Sequence, residues 1–290
     1  MKNIIIHLIA TLMITTTHPT ALSATPTTTD TIPAQHGYSK VNGINMYYEI
    51  YGEGQPLVLV HGGGSTIQSN FETIIPMLAQ SRKIIAVELE SHGRTGDRPK
   101  ELTFEQDADD VAALLKNLKI EKADFLGFSN GGTTTMQIAI RHPEIVNKII
   151  LGSALCKRDG VPPPFWGFME HATLDNMPQE LKTAYLKVNP DPAGLKRMHD
   201  KDASRMVHFK DIPDEQIKSI TAPTLIIIGD KDLITPEHAV YMQRLIKNSE
   251  LAIIPCGHGE YLGIKISPTS DGKEAAYVVP MMEKFLNKTN

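Results

Sequence analysis

This chain of 290 residues has few cysteines, a single tryptophan and only a small excess of negative charge. It contains two cysteines, one tryptophan and 6% aromatic residues. So few cysteines exclude the small disulfide-stapled folds, which are cysteine-dense. The net charge of −4 lacks the basic excess typical of nucleic-acid binding, so we expect no nucleic-acid partner. The rest of the composition, 41% apolar and 21% charged, is that of an ordinary globular protein.

Metal-binding motifs are missing as well. The sequence has no HExxH motif, no CxxC motif and no predicted helix with paired histidines. These are spacings at which His and Cys side chains share one metal ion. We therefore predict that the protein works without a metal or any other cofactor. The two cysteines, Cys156 and Cys256, are expected to be small buried hydrophobes, although an oxidising compartment would permit a bond between them.

Long apolar runs are missing except near the N-terminus, where residues 4–14 are mostly apolar. This run is too short for a bilayer span, which needs about 20 residues, so we expect no stable membrane insertion. With Lys2 before it and Ala-Leu-Ser-Ala after it, the run is typical of a secretory signal peptide. We predict a signal peptide over residues 1–24, a flexible lead-in over residues 25–39, and export to the periplasm or the medium. A disordered N-terminal tail is the alternative.

Short apolar runs alternate with stretches of helical spacing along the rest of the chain. Such runs, bounded by turn residues, are typical of strands buried on both faces of a sheet. They are residues 57–60, 83–87, 123–126, 148–151, 223–228 and 251–254. The alternating run 46–51 precedes a Gly-Glu-Gly turn and predicts a strand that enters a hairpin. Helices are predicted over about 70–79, 104–118, 133–141 and 281–286.

Strands that alternate with helices predict an α/β fold, in which a mostly parallel sheet is covered by helices on both faces. The alternation stops between about Ser153 and Ala222, where a proline-rich and then aromatic stretch appears. We predict a helical cap over residues 155–218. It is inserted into a core made of residues 40–154 and 219–290.

A G-x-S-x-G motif at residues 127–131 joins the strand ending at Leu126 to the next helix. In that context the motif forms a sharp elbow with an exposed serine. The turn leaves no room for side chains at its two glycines, and the helix N-terminus favours negative charge that develops beside it. The motif therefore indicates that Ser129 is a nucleophile.

Glycines after the first apolar strand supply a second part of the predicted site. Residues 61–64 read His-Gly-Gly-Gly, and glycine lets main-chain N–H groups approach a substrate oxygen closely. We predict that the N–H groups of Gly63 and Asn130 form an oxyanion hole. His61 is expected to be structural.

Two later strand ends carry partners for a serine nucleophile. Asp230 and Asp232 follow the run 223–228, and a carboxylate there can orient a histidine. Asp232 is preferred because it lies further out on the loop, whereas Asp230 is expected to bond the backbone of the turn. His258 lies between two glycines after the last strand. The chain order Ser, Asp, His is the order that accompanies a G-x-S-x-G elbow.

Together these motifs resemble those of the α/β-hydrolase family of serine hydrolases that carry an inserted cap. The resemblance covers nearly all of residues 40–290. It implies that Ser129 is the nucleophile, His258 the base and Asp232 the orienting acid. It also implies that the cap forms the roof of the substrate pocket.

The resemblance extends to residues 88–94, where aspartate is more usual in the family than the glutamate found here. We expect Glu88, His92 and Arg94 in this stretch to hold loops in place. The segment Tyr261–Gly272 departs from the family, because it is longer than the usual connection to the last helix.

Hydrolysis of a carboxylic ester or a related acyl compound is the activity that the resemblance implies, so the expected partner is a small acyl substrate. We predict a pocket lined by Gly64, Phe165, Trp166 and Phe168. Alternatively, the aromatic residues pack the cap onto the core. Lactonase, carbon–carbon bond hydrolase and aminopeptidase activities use the same trio and stay open, as does a ligand receptor with little turnover. The oligomeric state is also open.

Overall fold

The computed structural model describes residues 35–265 and 271–289. The predicted signal peptide, residues 25–34 of the lead-in and residues 266–270 of the long segment before the last helix lie outside the described residues. The signal peptide and export therefore stay predictions. No helix in the described part of the chain is long and apolar enough to cross a membrane.

A sheet of eight strands, within the residues described, divides the core into two layers. The strands are β1 Gln35–Val41, β2 Ile44–Tyr51, β3 Gln55–Val60, β4 Arg82–Val87, β5 Ala123–Phe128, β6 Val146–Gly152, β7 Thr224–Gly229 and β8 Ser249–Ile254. They lie in the order β1-β2-β4-β3-β5-β6-β7-β8. Strands β3 to β8 are parallel, and β1 and β2 are antiparallel to their neighbours. The predicted α/β fold with a mostly parallel sheet is confirmed.

Core helices pack on both faces of this sheet, and four more helices follow β6. The described helices are α1 Ile67–Phe71, α2 Ile75–Leu78, α3 Phe104–Asn117, α4 Asn130–Arg141, α5 Pro164–Glu170, α6 Gln179–Val188, α7 Pro192–Val207, α8 Asp214–Lys218, α9 Pro236–Leu245 and α10 Ala275–Leu286. Successive side chains of a strand enter opposite layers. In β5, Phe125 packs with α3 and α4, whereas Leu126 packs with α1 and α10. Both side chains are fully buried, and each stabilises the fold by about 1.5–3 kcal/mol.

The structure corrects several predicted boundaries. Residues 35–39 were predicted as flexible lead-in, but they belong to β1, which pairs with β2. Most of β1 is exposed or half-buried, so it lacks the apolar run that marks a buried strand. The predicted hairpin after residue 51 is wrong, because β2 lies beside β4 and β3 takes the place between β4 and β5. The predicted helix 70–79 is two short helices, and the last helix begins at Ala275.

Between β6 and β7 the chain forms α5 to α8, and residues 155–218 are called the cap below. A small apolar cluster lies inside it, made of Met177, Tyr185, Leu195 and Met198. Its longest helix, α7, contacts the core through Arg205, whose guanidinium lies 2.7 Å from the Asp107 carboxylate on α3. The same guanidinium lies 4.7 Å from the centre of the Phe104 ring. The cap is therefore attached to the core by a buried ion pair as well as by apolar packing.

Both cysteines, Cys156 and Cys256, are buried free thiols. Cys156 Sγ lies 3.4 Å from His238 Nε2 on α9. Burial raises the pKa of each thiol to about 12. Both side chains are therefore uncharged at neutral pH and pack as small hydrophobes.

Candidate active site

Ser129 lies on a sharp turn between β5 and α4. Its backbone has a positive φ of 54° with ψ −122°, a conformation that residues other than glycine rarely adopt. A Cβ on Gly127 would lie 2.2 Å from the Gly131 oxygen, and a Cβ on Gly131 would lie 2.1 Å from the Val60 oxygen. The Ser129 N–H donates to the Gly152 oxygen at 2.8 Å. The turn is therefore held closely between the ends of β3 and β6.

The three residues predicted to act together meet at this turn. The Ser129 hydroxyl Oγ lies 3.2 Å from His258 Nε2, and His258 Nδ1 lies 2.7 Å from Asp232 Oδ1. They follow β5, β8 and β7, whose carboxyl ends meet at one edge of the sheet. Since the carboxylate can only accept, Nδ1 carries a proton and donates it. Nε2 is then free to accept the Ser129 hydroxyl proton.

Asp232 is held on both of its oxygens. Oδ1 also accepts from the Ile234 N–H at 3.0 Å, and Oδ2 accepts from Ser153 Oγ at 2.6 Å. Burial alone would raise the pKa of Asp232, but His258 and these donors hold it below its ordinary value. The carboxylate is therefore ionised. Asp230 is exposed, and its N–H donates to the Ile254 oxygen at 2.8 Å.

The predicted oxyanion donors face the same turn. The main-chain N–H groups of Gly63 and Asn130 have no acceptor among the described residues. The loop is fixed beside Ser129, since the Gly62 N–H donates to Asn70 Oδ1 at 2.7 Å. A Cβ on Gly62 would lie 3.1 Å from the Ser129 Cβ. Two free N–H groups next to a nucleophile suit the negative charge of a tetrahedral intermediate.

A carboxylate of the cap lies beside this glycine loop, and sequence reasoning missed it. Asp202 Oδ2 accepts from the Gly64 N–H at 2.6 Å and from His92 Nε2 at 2.9 Å. Its other oxygen pairs with Arg205. Burial would raise the pKa of Asp202, but Arg205 and His92 hold it far below its ordinary value. The spacing of Asp202 and Arg205, three apart on a helix, was the signal available in the sequence.

His92 joins Asp202 to the loop after β4. Its Nδ1 lies 2.9 Å from the Glu90 oxygen, and its Nε2 faces the ionised Asp202. The Gly64 N–H lies 3.2 Å from Nε2 but bonds Asp202 at the shorter distance of 2.6 Å. The Glu90 oxygen and the Asp202 carboxylate only accept, so both ring nitrogens donate to them and the ring is positively charged. Burial lowers the pKa of His92, but Asp202 raises it above its ordinary value. The neighbouring His61 is neutral, because burial lowers its pKa to about 3.

Glu88 and Arg94 form a separate ion pair in the same loop. Glu88 accepts from the Arg94 N–H at 2.6 Å and from its guanidinium at 2.7 Å. The guanidinium also lies 3.9 Å from the centre of the Tyr47 ring. These contacts tie the loop after β4 to β2.

The aromatic residues predicted for the pocket lie on α5 and make other contacts. Trp166 donates its Nε1–H to the Arg158 oxygen at 2.9 Å, and the Arg158 guanidinium lies 3.8 Å from its ring centre. Phe165 packs edge-on against Trp166, and Trp166 also contacts Phe209. The Phe168 side chain is 50% exposed. These contacts agree with the alternative for Phe165 and Trp166, that they pack the cap, and they give the pocket assignment no support.

Two other residues of the cap lie over the glycine loop, next to Gly64. A Cβ on Gly64 would meet Met177 at 3.2 Å and Leu181 at 3.4 Å. Both are apolar and both belong to the cap. An apolar roof beside two main-chain donors suits a substrate whose carbonyl group is flanked by carbon atoms.

The assembled groups can perform acid–base and nucleophilic chemistry. A hydroxyl, an imidazole and a carboxylate lie in hydrogen-bonding sequence, with free N–H groups alongside. Within residues 35–265 and 271–289, no three His, Cys, Asp or Glu side chains are grouped to hold a metal ion.

Comparison with protein families gives one match that spans more than half of the chain. The model described as alpha/beta hydrolase fold matches residues 55–212, which include the glycine loop, the elbow and most of the cap. Among curated proteins, the 2-hydroxy-6-oxo-2,4-heptadienoate hydrolase of Pseudomonas putida is 29% identical over 241 residues. That match covers 74% of this chain and 87% of the relative.

Solved structures share the fold. The meta-cleavage product hydrolase from Pseudomonas fluorescens IP01 has a TM-score of 0.70 and 24% identity, covering 89% of this chain and 99% of the other. A protein described as an N-acyl homoserine lactone degrading enzyme has a TM-score of 0.66 and 26% identity, covering 87% of this chain and 100% of the other.

Proposed function

The chain belongs to the α/β-hydrolase fold family, and from that premise we propose that it is a serine hydrolase acting at a carbonyl carbon. The observation that supports this most directly is the hydrogen-bonded series from Ser129 through His258 to Asp232. A serine hydroxyl is a weak nucleophile unless a base accepts its proton. Here the base is within reach, and the carboxylate stabilises the imidazolium that forms.

The proposed cycle uses each group of the site once in each half. His258 takes the Ser129 proton as Oγ bonds to the carbonyl carbon, and the oxyanion rests on the N–H groups of Gly63 and Asn130. His258 then gives the proton to the leaving group, which leaves an acyl-enzyme. Water repeats the sequence and releases the acid. Loss of one oxyanion donor costs about 3 kcal/mol of transition-state stabilisation in this chemistry.

The proposed bond is a carbon–carbon bond beside a ketone, in a substrate of the 2-hydroxy-6-oxo-dienoate class. Support comes from the name of the Pseudomonas putida relative, which states such a substrate. The substrate first tautomerises: the 2-hydroxyl group loses its proton and the carbon next to the 6-ketone gains one, so that this carbon becomes tetrahedral. Ser129 Oγ then bonds to the ketone carbon, and the adjacent carbon leaves with the bonding electron pair as the tetrahedral intermediate collapses. The conjugated 2-oxo acid accepts that pair as an enolate, since a simple alkyl anion is too basic to leave. His258 protonates the enolate, and water releases the carboxylic acid from Ser129.

A carboxylic ester or lactone is the second candidate substrate, and the charge beside the glycine loop favours it. Asp202 brings a carboxylate onto Gly64, and the neighbouring Arg205 already pairs with two carboxylates. A dienoate brings a carboxylate of its own, which Asp202 would repel. A neutral ester or lactone has no such group.

Steady-state hydrolysis of two substrate series tests the proposal. One series contains 6-alkyl and 6-phenyl 2-hydroxy-6-oxo-dienoates, followed by loss of the absorbance of the conjugated enolate. The other contains p-nitrophenyl esters of increasing chain length. Ser129→Ala should abolish turnover of whichever series the wild type accepts, and Ser219→Ala, at an exposed serine after α8, should retain it. Turnover of esters alone would refute the carbon–carbon assignment, and turnover that survives Ser129→Ala would refute the serine mechanism.

A further inference from the structure

A buried pair of hydroxyl groups lies behind Asp232, on the side away from His258. Ser153 Oγ lies 2.6 Å from Asp232 Oδ2 and 2.7 Å from Tyr261 Oη. Ser153 is 1% exposed and Tyr261 is fully buried. The three groups come from the end of β6, the loop after β7 and the turn after His258. No motif in the sequence singles out either hydroxyl residue.

Three groups, Tyr261, Ser153 and Asp232, form a series of hydrogen bonds, and the chemistry of the carboxylate decides which group donates in each. Ionised Asp232 can only accept, so Ser153 must donate its single hydroxyl proton to it. Ser153 Oγ can then only accept from Tyr261, whose hydroxyl is the donor. The series therefore points one way, from Tyr261 through Ser153 to Asp232. Hydrogen bonds that point the same way polarise and strengthen one another.

The backbone at Ser153 supports a role beyond filling space. Ser153 has a φ of 47°, in the left-handed region that favours glycine. Its N–H donates to the Ile227 oxygen of β7 at 2.8 Å. The preceding Gly152 supplies the oxygen that accepts the Ser129 N–H. One strained strand end thus contacts both the elbow and the acid, and such strain is common at functional sites.

We propose that Ser153 and Tyr261 are positioning residues for the reaction, which rests on the proposed serine hydrolase function. They hold Asp232 in the plane that meets His258 Nδ1. Ser153, polarised by the Tyr261 hydroxyl, donates to Oδ2 and so also draws charge away from the oxygen that stabilises the imidazolium. Removing the donors should leave a carboxylate that is less well oriented and holds the imidazolium more tightly. As the pH falls, the variant would then lose its neutral imidazole base at a higher pH than the wild type does.

Ser153→Ala and Tyr261→Phe test this assignment through rate and pH together. A hydrogen bond to a charged group is worth enough to change kcat by about tenfold, so Ser153→Ala should lower kcat by about that factor with KM unchanged. The acid limb of the kcat/KM profile should move to higher pH by about half a unit or more. Tyr261→Phe, one bond further away, should give a smaller change in the same direction.

Two controls separate positioning from folding. Ser153→Gly loses the same hydroxyl but relieves the left-handed strain, so it should share the kinetic change of Ser153→Ala and unfold at a higher temperature than that variant. Tyr51→Phe removes another buried tyrosine hydroxyl bonded to a carboxylate, that of Glu49, and should leave the acid limb in place. If Ser153→Ala fails to fold, Tyr261→Phe still decides the matter, since it keeps the ring.

Labelling of Ser129 by a fluorophosphonate reports the activated hydroxyl without any substrate. A wild type that is labelled but turns over neither dienoates nor esters would refute both proposed substrate classes and still allow this test. The labelling rates of the variants should then show the same loss and the same shift with pH. Full rates with an unmoved acid limb in Tyr261→Phe, and in Ser153→Ala where that variant folds, would overturn the positioning role.

Discussion

Replacing Arg205 by methionine should release the cap from the core more than any surface change on the same helix. Arg205 is 5% exposed and lies between the carboxylates of Asp107 and Asp202. Methionine is unbranched and apolar, so it can fill the space taken by the aliphatic part of the Arg205 side chain. The substitution therefore removes the charge and little of the packing.

The expected loss of stability follows from the carboxylate charge that Arg205→Met leaves buried. Taking away one partner of a buried ion pair costs about 3–5 kcal/mol, because the other charge is left uncompensated. Among the described residues Asp202 keeps His92 as an ion-pair partner, whereas Asp107 keeps none, and burial already raises the pKa of Asp107 to about 7. A loss of about 3–5 kcal/mol is therefore expected for Arg205→Met. For a chain of this size each kcal/mol lowers Tm by about 2–4 °C, which gives a fall of about 6–20 °C.

Thermal and urea unfolding measure the loss, with Arg197→Met as the matched control. Arg197 also lies on α7, but its side chain is 53% exposed and its ion pairs are on the surface, so its removal should cost about 1 kcal/mol or less. Adding Asp107→Asn to Arg205→Met should restore at least half of the stability, since the stranded charge is gone. A loss below about 1 kcal/mol for Arg205→Met would refute the view that this network fastens the cap.

Two other predictions concern the glycine loop and its charged neighbours. Gly63→Ala should lower kcat by about tenfold or more with little change in Tm. The new Cβ would lie beside the oxyanion donors, 2.5 Å from Asn130 Nδ2 and 3.0 Å from Asp202 Oδ2. A variant with the kcat of the wild type would contradict the oxyanion assignment. Because its pKa is raised by Asp202, His92 contributes stability that is complete below about pH 6.5 and is lost as pH rises through the folded-state pKa. The Tm gap between wild type and His92→Gln should therefore narrow as the pH rises above about 6.5, and a constant gap would count against a charged His92.

Local sequence patterns predicted seven of the eight described strands and the elbow. Apolar runs such as 123–126 identify strands because a strand buried on both faces needs apolar residues at every position. The glycines at 127 and 131 identify the turn at Ser129 because a Cβ there would overlap backbone atoms. Strand β1 was not predicted, since a mostly exposed strand has no continuous apolar run.

Contacts between distant parts of the chain were decided only by the tertiary structure. Ser153 and Tyr261 are 108 positions apart, and His92 and Asp202 are 110 positions apart. A polar residue in a loop carries no periodic signal of the partner it will meet. That partner depends on where the strand order brings each loop, and the order of β2, β4 and β3 is itself a long-range outcome. The sequence therefore specified the reacting groups, whereas the packing of cap and strand ends specified the groups that orient and charge them.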